Sequence, residues 1–168
     1  MNMHFSDAVR PTVVAAATLM ALAAGPAQSG AWVCTHGHSG TVEYPSNLVT
    51  EEGLHIGWGL DFALKPSKIN WVHYAPAAVL GEKIRYIGLQ FATGSADAVV
   101  DNVHVWDLNA RRYRFDDLGW SGGSQIKILD LGSFQTFQVI GLSIGVWSGV
   151  EMMDHSFEIN GVCVYTGP

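Results

Sequence analysis

Thr136-Phe137-Gln138-Val139-Ile140-Gly141-Leu142-Ser143-Ile144-Gly145-Val146-Trp147 is the stretch whose reading decides the fold. From Ile140 onward the even positions are aliphatic and the odd positions are Gly, Ser, Gly and Trp. An extended chain sends successive side chains to opposite faces, so Ile140, Leu142, Ile144 and Val146 share a buried face. Gly141, Ser143, Gly145 and Trp147 share the other. The stretch is a β-strand.

The same period of two recurs on both sides of it, at 54–62, 69–74, 83–91, 99–107 and 157–165. In 54–62 one phase holds Leu54, Ile56, Trp58, Leu60 and Phe62, which reads as a single half-buried strand. Clusters of Gly, Pro, Asn, Asp and Ser separate these runs. Helical periodicity is absent after residue 30. About 8–10 short strands predict an all-β fold, a two-sheet antiparallel β-sandwich that is jelly-roll-like.

The amino terminus obeys a different pattern. One positive charge at Arg10, an apolar run over 13–24 and small residues after Gly25-Pro26 describe a cleaved signal peptide, with the cut placed after Ser29. The run is well short of the roughly 20 residues that cross a bilayer as a helix. Residues 1–29 are therefore expected to be removed, leaving 30–168 as one domain that is secreted or periplasmic, with no membrane span after cleavage. Export gives meaning to the two cysteines, Cys34 and Cys163. Only one pairing exists, and it predicts a disulfide stapling first strand to last.

Charge narrows the partners. Only 14% of residues are charged, the net charge is −6, and the longest basic run is Arg111-Arg112-x-Arg114. Nucleic-acid binding needs a clustered positive surface, so nucleic acid is excluded as the expected partner.

Several short elements, taken in order, carry a resemblance. They are Trp32-Val33, Val42-Glu43-Tyr44-Pro45, Gly57-Trp58-Gly59, Asn70-Trp71-Val72-His73, Asn102-Val103-His104-Val105-Trp106-Asp107 and Gly141-Leu142-Ser143-Ile144. From Trp32 to about Val164 the chain resembles a family of small secreted β-sandwich domains with no assigned function. The resemblance implies fold and export, and it brings no catalytic residues to carry over. Cys34-Thr35-His36-Gly37-His38, inserted after the first tryptophan, departs from the family pattern.

The residues offer little to an enzyme. G-x-S-x-G occurs at Gly119-Trp120-Ser121-Gly122-Gly123 and at Gly141-Leu142-Ser143-Ile144-Gly145. A nucleophile elbow needs a strand, a sharp turn and then a helix. Ser143 lies inside a strand, and Ser121 lies in a glycine-rich turn with no helix after it. No catalytic residue is assigned, and the hydrolase reading is the last of three. His36 and His38, two apart on a strand, would share a face as weak candidates for a metal site. Asp97, Asp101, Asp107, Asp116 and Asp117 form no dense calcium loop. No metal or cofactor is expected.

The aromatic residues say more. The sequence holds six tryptophans. Trp58 and Trp71 fall in apolar phases and are expected in the core. Trp106 shares its phase with Asn102 and His104, opposite the inward Val103 and Val105, and Trp147 shares the small-residue phase of its strand. Exposed rings beside hydrogen-bonding groups suit sugar faces and protein interfaces. The expected function is a non-catalytic carbohydrate- or surface-ligand-binding module, with Asn102, His104, Trp106, Trp120 and Trp147 as contacts. The partner is then a carbohydrate or another extracellular protein. The alternative is a structural, self-associating extracellular protein, favoured by low charge and glycine-rich strands whose edges invite pairing.

Overall fold

The structure, a computed structural model, describes residues 30–50, 53–77 and 82–167. The expected signal peptide, 1–29, lies outside the described residues. Eleven strands appear among those residues: β1 (Ala31–His36), β2 (Thr41–Val42), β3 (Leu54–Ile56), β4 (Gly59–Ala63), β5 (Ile69–Tyr74), β6 (Lys83–Thr93), β7 (Ala98–Asp107), β8 (Ala110–Phe115), β9 (Gln125–Thr136), β10 (Ile140–Ser148) and β11 (Ser156–Gly167). They form two antiparallel sheets. The first runs β3-β4-β11-β6-β9, with β1 also paired to β11, and the second runs β2-β5-β10-β7-β8. This is the predicted all-β sandwich.

The inner faces meet as the alternation requires. Leu60, Leu89, Phe91, Phe157 and Ile159 come from the first sheet, and Val72, Val103, Val105, Leu142 and Ile144 from the second. All are nearly inaccessible to solvent, and their burial is the main drive for the sandwich. Ile140, Leu142, Ile144 and Val146 do share the buried face of β10. Cys34 stands directly opposite Cys163 in the β1–β11 ladder and is bonded to it, so the staple joins first strand to last.

Three local readings are corrected. The run 54–62 is a hairpin, not one strand, because Gly57 and Trp58 form a two-residue turn. Such a turn reverses the phase: Leu54 pairs with Asp61 and faces out, while Leu60 and Phe62 face in. Trp58, expected in the core, is 62% exposed at the turn. The run 136–147 is likewise interrupted. The Asp107 carboxylate accepts the N–H groups of Gln138 (2.8 Å) and Val139 (3.2 Å), which removes them from any ladder and starts β10 afresh at Ile140.

The third correction bears on function. On β5 the inward residues are Asn70, Val72 and Tyr74, so Trp71 and His73 face outward. Fully buried Asn70 explains the choice of phase. Its Oδ1 accepts from the N–H groups of Tyr44 and Trp71 (both 2.9 Å), and its Nδ2 donates to the Tyr44 carbonyl (2.8 Å). A buried amide so fully partnered costs little and fixes the register.

Candidate functional site

β10 is the middle strand of the second sheet, and its outward residues Gly141, Ser143 and Gly145 make a shallow bed along that face. The strands on either side lay indoles across it. Trp71 crosses from β5: a Cβ placed on Gly145 would lie 2.9 Å from Cη2 and Cζ3 of its ring. The ring ends against the His104 imidazole on β7, with centroids 4.7 Å apart. Trp106 crosses from β7 beside Gly141, and its Nε1–H donates to Ser143 Oγ at 3.0 Å. Trp147 follows one step beyond Gly145 and is 40% exposed. At Gly145 the absence of a Cβ is what leaves room for the Trp71 ring.

Between Trp71 and Trp147 a cavity of about 90 Å³ opens over Gly145, walled by Asn102 and Asp101. Asp101 reaches this wall through a β-bulge. The β7–β10 register passes from Gly145↔Asn102 to Val146↔Val100, so Asp101 is the extra residue and its side chain is re-aimed.

A chain of hydrogen bonds continues outward from Ser143. His73 Nδ1 lies 2.9 Å from Ser143 Oγ, and His73 Nε2 lies 2.9 Å from Glu43 Oε2. The hydroxyl accepts from the indole N–H, and since a carboxylate only accepts, His73 Nε2–H donates to Glu43; in the neutral imidazole Nδ1 then accepts the Ser143 hydroxyl proton. The Tyr44 phenol holds the Glu43 carboxyl below its ordinary value; burial pushes the other way, and the bond and charge of His73 add to the lowering. At the opposite side His104 is buried and bonded through Nε2 to Asp116 (2.9 Å), which also accepts from Arg114. Burial first, then the charges of Arg111 and Arg114, hold the His104 imidazole below its ordinary value.

Ser143, His73 and Glu43 thus have the connectivity of a nucleophile, a base and an orienting carboxylate. The arrangement lacks what acyl transfer needs. Ser143 is 6% exposed. Its strand is flanked by β5 and β7, so nearby backbone N–H groups serve the ladders and are not free to stabilise an oxyanion. The hydroxyl acts as a clamp on the Trp106 ring. Ser121 stays in its turn, and His155, the first histidine after both serines in the sequence, is bonded to Asp97 (3.1 Å) and to neither serine.

Of the residues singled out in the sequence, Asn102, His104, Trp106 and Trp147 come together on this face. Trp120 does not. Its ring stacks on Phe91 at 6.2 Å beneath Lys127, and its backbone is bonded to Val100. His36 and His38 do not lie along one strand, because β1 ends at His36 and 37–39 form a 3-10 turn. Their rings meet each other, and His55 is bonded to the His38 carbonyl. Among the described residues no group of three or more His, Cys, Asp or Glu is placed to hold a metal ion. The aspartates Asp97, Asp101, Asp107 and Asp116 tie loops and side chains together. Sequence reasoning missed Trp71, His73 and Glu43. The signal available was the competing apolar phase of Val72 and Tyr74.

No family model matches the chain, and no curated protein matches it. The resemblance to a family without assigned function therefore gains no support from a family match, while the β-sandwich it implied is the fold observed. Solved structures of similar shape include the C-terminal family 6 carbohydrate-binding module of LamC, a laminarinase from Zobellia galactanivorans, at 8% identity over 82% of this chain and 100% of that one, with a TM-score of 0.48. A family 29 module from Piromyces equi shows 13% identity over 83% and 92%, with a TM-score of 0.45. A family 35 module from Paenibacillus barcinonensis shows 13% identity over 78% and 96%, with a TM-score of 0.44. All three are carbohydrate-binding modules. Among the described residues no helix is long and apolar enough to cross a membrane.

Proposed function

We propose that this protein binds carbohydrate on the outer face of the β2-β5-β10-β7-β8 sheet, without catalysis. The observation that carries the reading is the set of three indoles, Trp71, Trp106 and Trp147, spread over the Gly-Ser-Gly bed of β10 and interleaved with Asn102, Asp101 and His73. Sugar rings present flat C–H patches rimmed by hydroxyls. Indole faces take the patches, while amide, carboxylate and imidazole groups take the rim. From β2 to β8 the face spans four strand spacings, about 19 Å, room for a short oligosaccharide. Asn102, His104, Trp106 and Trp147 are kept as contacts, Trp71 is added, and Trp120 is withdrawn.

The protein works outside the cytoplasm in this reading. The export pattern over 1–29 and the Cys34–Cys163 disulfide support that placement, and 30–168 then act as one binding unit.

Titration of the purified protein with oligosaccharides, followed by tryptophan fluorescence, tests the proposal. Saturable quenching is expected, and it is lost in Trp106→Ala and Trp71→Ala variants that keep their β-sheet circular dichroism. Binding that survives both substitutions overturns the site; the absence of binding across neutral and charged glycans overturns the function.

A second reading, self-association, has its own observation. On the outer face of the first sheet Trp32, Ile126 and Ile128 are 44%, 66% and 58% exposed around a cavity of about 250 Å³ floored by Gly88. An apolar patch of this kind suits a second copy of the chain. Light scattering across a wide concentration range decides it: growth in mass that Ile126→Lys abolishes supports assembly, and a constant monomer mass removes it.

A further inference from the structure

Four arginines fall among the described residues, and three of them face a carboxylate. Arg85 is paired with Asp130, Arg112 with Asp107 and Arg114 with Asp116. Arg111 has no carboxylate among those ion pairs. Its guanidinium stands 5.9 Å from the centroid of the Trp106 ring. A second bulge puts it there. The β7–β8 register passes from Val105↔Tyr113 to Trp106↔Arg111, so Arg112 is the extra residue, sent to Asp107, and Arg111 is brought opposite Trp106. β8 is the edge strand of its sheet, so nothing in the sheet closes off the space beyond it.

We propose that Trp106 and Arg111 form a subsite for an anionic saccharide: the sugar ring lies on the indole, and its carboxylate or sulfate lies against the guanidinium. The subsite rests on the carbohydrate-binding reading and names the ligand class. A guanidinium binds planar oxyanions through paired N–H donors, and Arg111 is exposed and free to do so beside the indole. His104, on the same face, has its imidazole held below the ordinary value by burial and then by Arg111 and Arg114. The Arg114 charge there is met by Asp116 and that of Arg112 by Asp107, which leaves Arg111 as the arginine of β8 outside those ion pairs. Glu43 sits at the opposite edge, beside β2, and Asp101 in the cavity wall over Gly145; neither is paired with Arg111 among the ion pairs.

Isothermal titration with three probes of equal length tests this: a neutral gluco-oligosaccharide, an oligogalacturonate and a sulfated galactan oligomer. At low salt at least one anionic probe is expected to bind about tenfold tighter than the neutral one, the ratio that one charge-assisted contact supplies. High salt and Arg111→Gln both bring that ratio toward one. Arg111→Lys separates the two sources, because a lysine serves sulfate as a point charge but loses the bidentate grip on a carboxylate. Equal affinity for neutral and anionic probes, or a preference that persists in Arg111→Gln, overturns the subsite while carbohydrate binding stands. Failure of all three probes overturns both.

Discussion

Trp106 and Ser143 are joined across the β7–β10 ladder, the indole Nε1–H donating to the hydroxyl oxygen at 3.0 Å. That bond ties the ring to the middle strand, and the same hydroxyl lies 2.9 Å from His73 Nδ1, to which it donates when the imidazole is neutral. Ser143→Ala removes the acceptor of one group and the donor to another. The expected result is a loss of about 1–2 kcal/mol of stability, read as a lower urea midpoint at constant slope, together with a changed tryptophan emission and weaker sugar binding. An unaltered midpoint and emission would show that the hydroxyl does not hold the ring.

Gly145→Ala tests the bed itself. The added methyl would lie 2.9 Å from Asn102 Cβ and from two carbons of the Trp71 ring. The ring must move, because β7 backbone stands behind Asn102. A destabilisation of about 1–3 kcal/mol is expected, with weakened sugar binding. Gly141→Ala is the control, since its nearest contact would be Trp106 Cβ at 3.7 Å, ordinary van der Waals distance.

How much of this was legible in the sequence depends on the strand. On β10 one phase is wholly aliphatic and the other is Gly, Ser, Gly and Trp, so a single assignment of faces was available and the structure follows it. On β5 both phases carry apolar bulk, Ile69 and Trp71 against Val72 and Tyr74, and the deciding residue was Asn70. Its partners lie in the segment around Tyr44, 26 positions away, which no periodicity reveals. In 54–62 the apolar period ran unbroken through a turn that reversed it. The chain Glu43–His73–Ser143–Trp106 joins four strands or their flanks, and only the folded sheet brings them together. The two bulges that aim Asp101 and Arg111 are register events between strands and leave no mark in one strand's own pattern.

The reversal at Gly57–Trp58 has its own test. Trp58 is 62% exposed, so Trp58→Ala is expected to change stability by no more than about 0.5 kcal/mol. A core tryptophan would cost about 3–5 kcal/mol on the same substitution. Urea denaturation distinguishes the two readily, and a loss in the upper range would restore the sequence-based reading of 54–62 as one strand.

The disulfide closes a separation of 129 residues. Cross-linking so long a loop removes entropy from the unfolded chain, about 5 kcal/mol in the chain-entropy model and commonly about 2–5 kcal/mol in practice. Cys34→Ser/Cys163→Ser is therefore expected to lower the urea midpoint sharply, and reductant should do the same to the natural chain. Both strands remain laddered without it, since β11 also pairs with β6 and β4, so circular dichroism of the folded variant should match. A midpoint insensitive to the bond would mean that the unfolded chain is already compact enough to lose little by it.

His104 gives the fold a pH dependence of definite sign. The groups around it are Asp116, which accepts its Nε2–H, the Trp71 ring, and the charges of Arg111 and Arg114. Burial and those charges lower its pKa in the folded chain relative to the unfolded one. Above the ordinary histidine value both states are neutral and the contribution to stability is complete. As pH falls below about 6.5 the unfolded chain takes up the proton first. Stability is then lost until the folded-state value is reached, below which both states are charged and the slope vanishes. His104→Gln keeps a donor toward Asp116 but cannot titrate. The difference in unfolding free energy between natural chain and variant should therefore shift against the natural chain across that mildly acidic window, measured by urea titrations at stepped pH. A difference that shifts the other way would mean that Asp116 outweighs burial and the arginines, and that the imidazole is held as the cation.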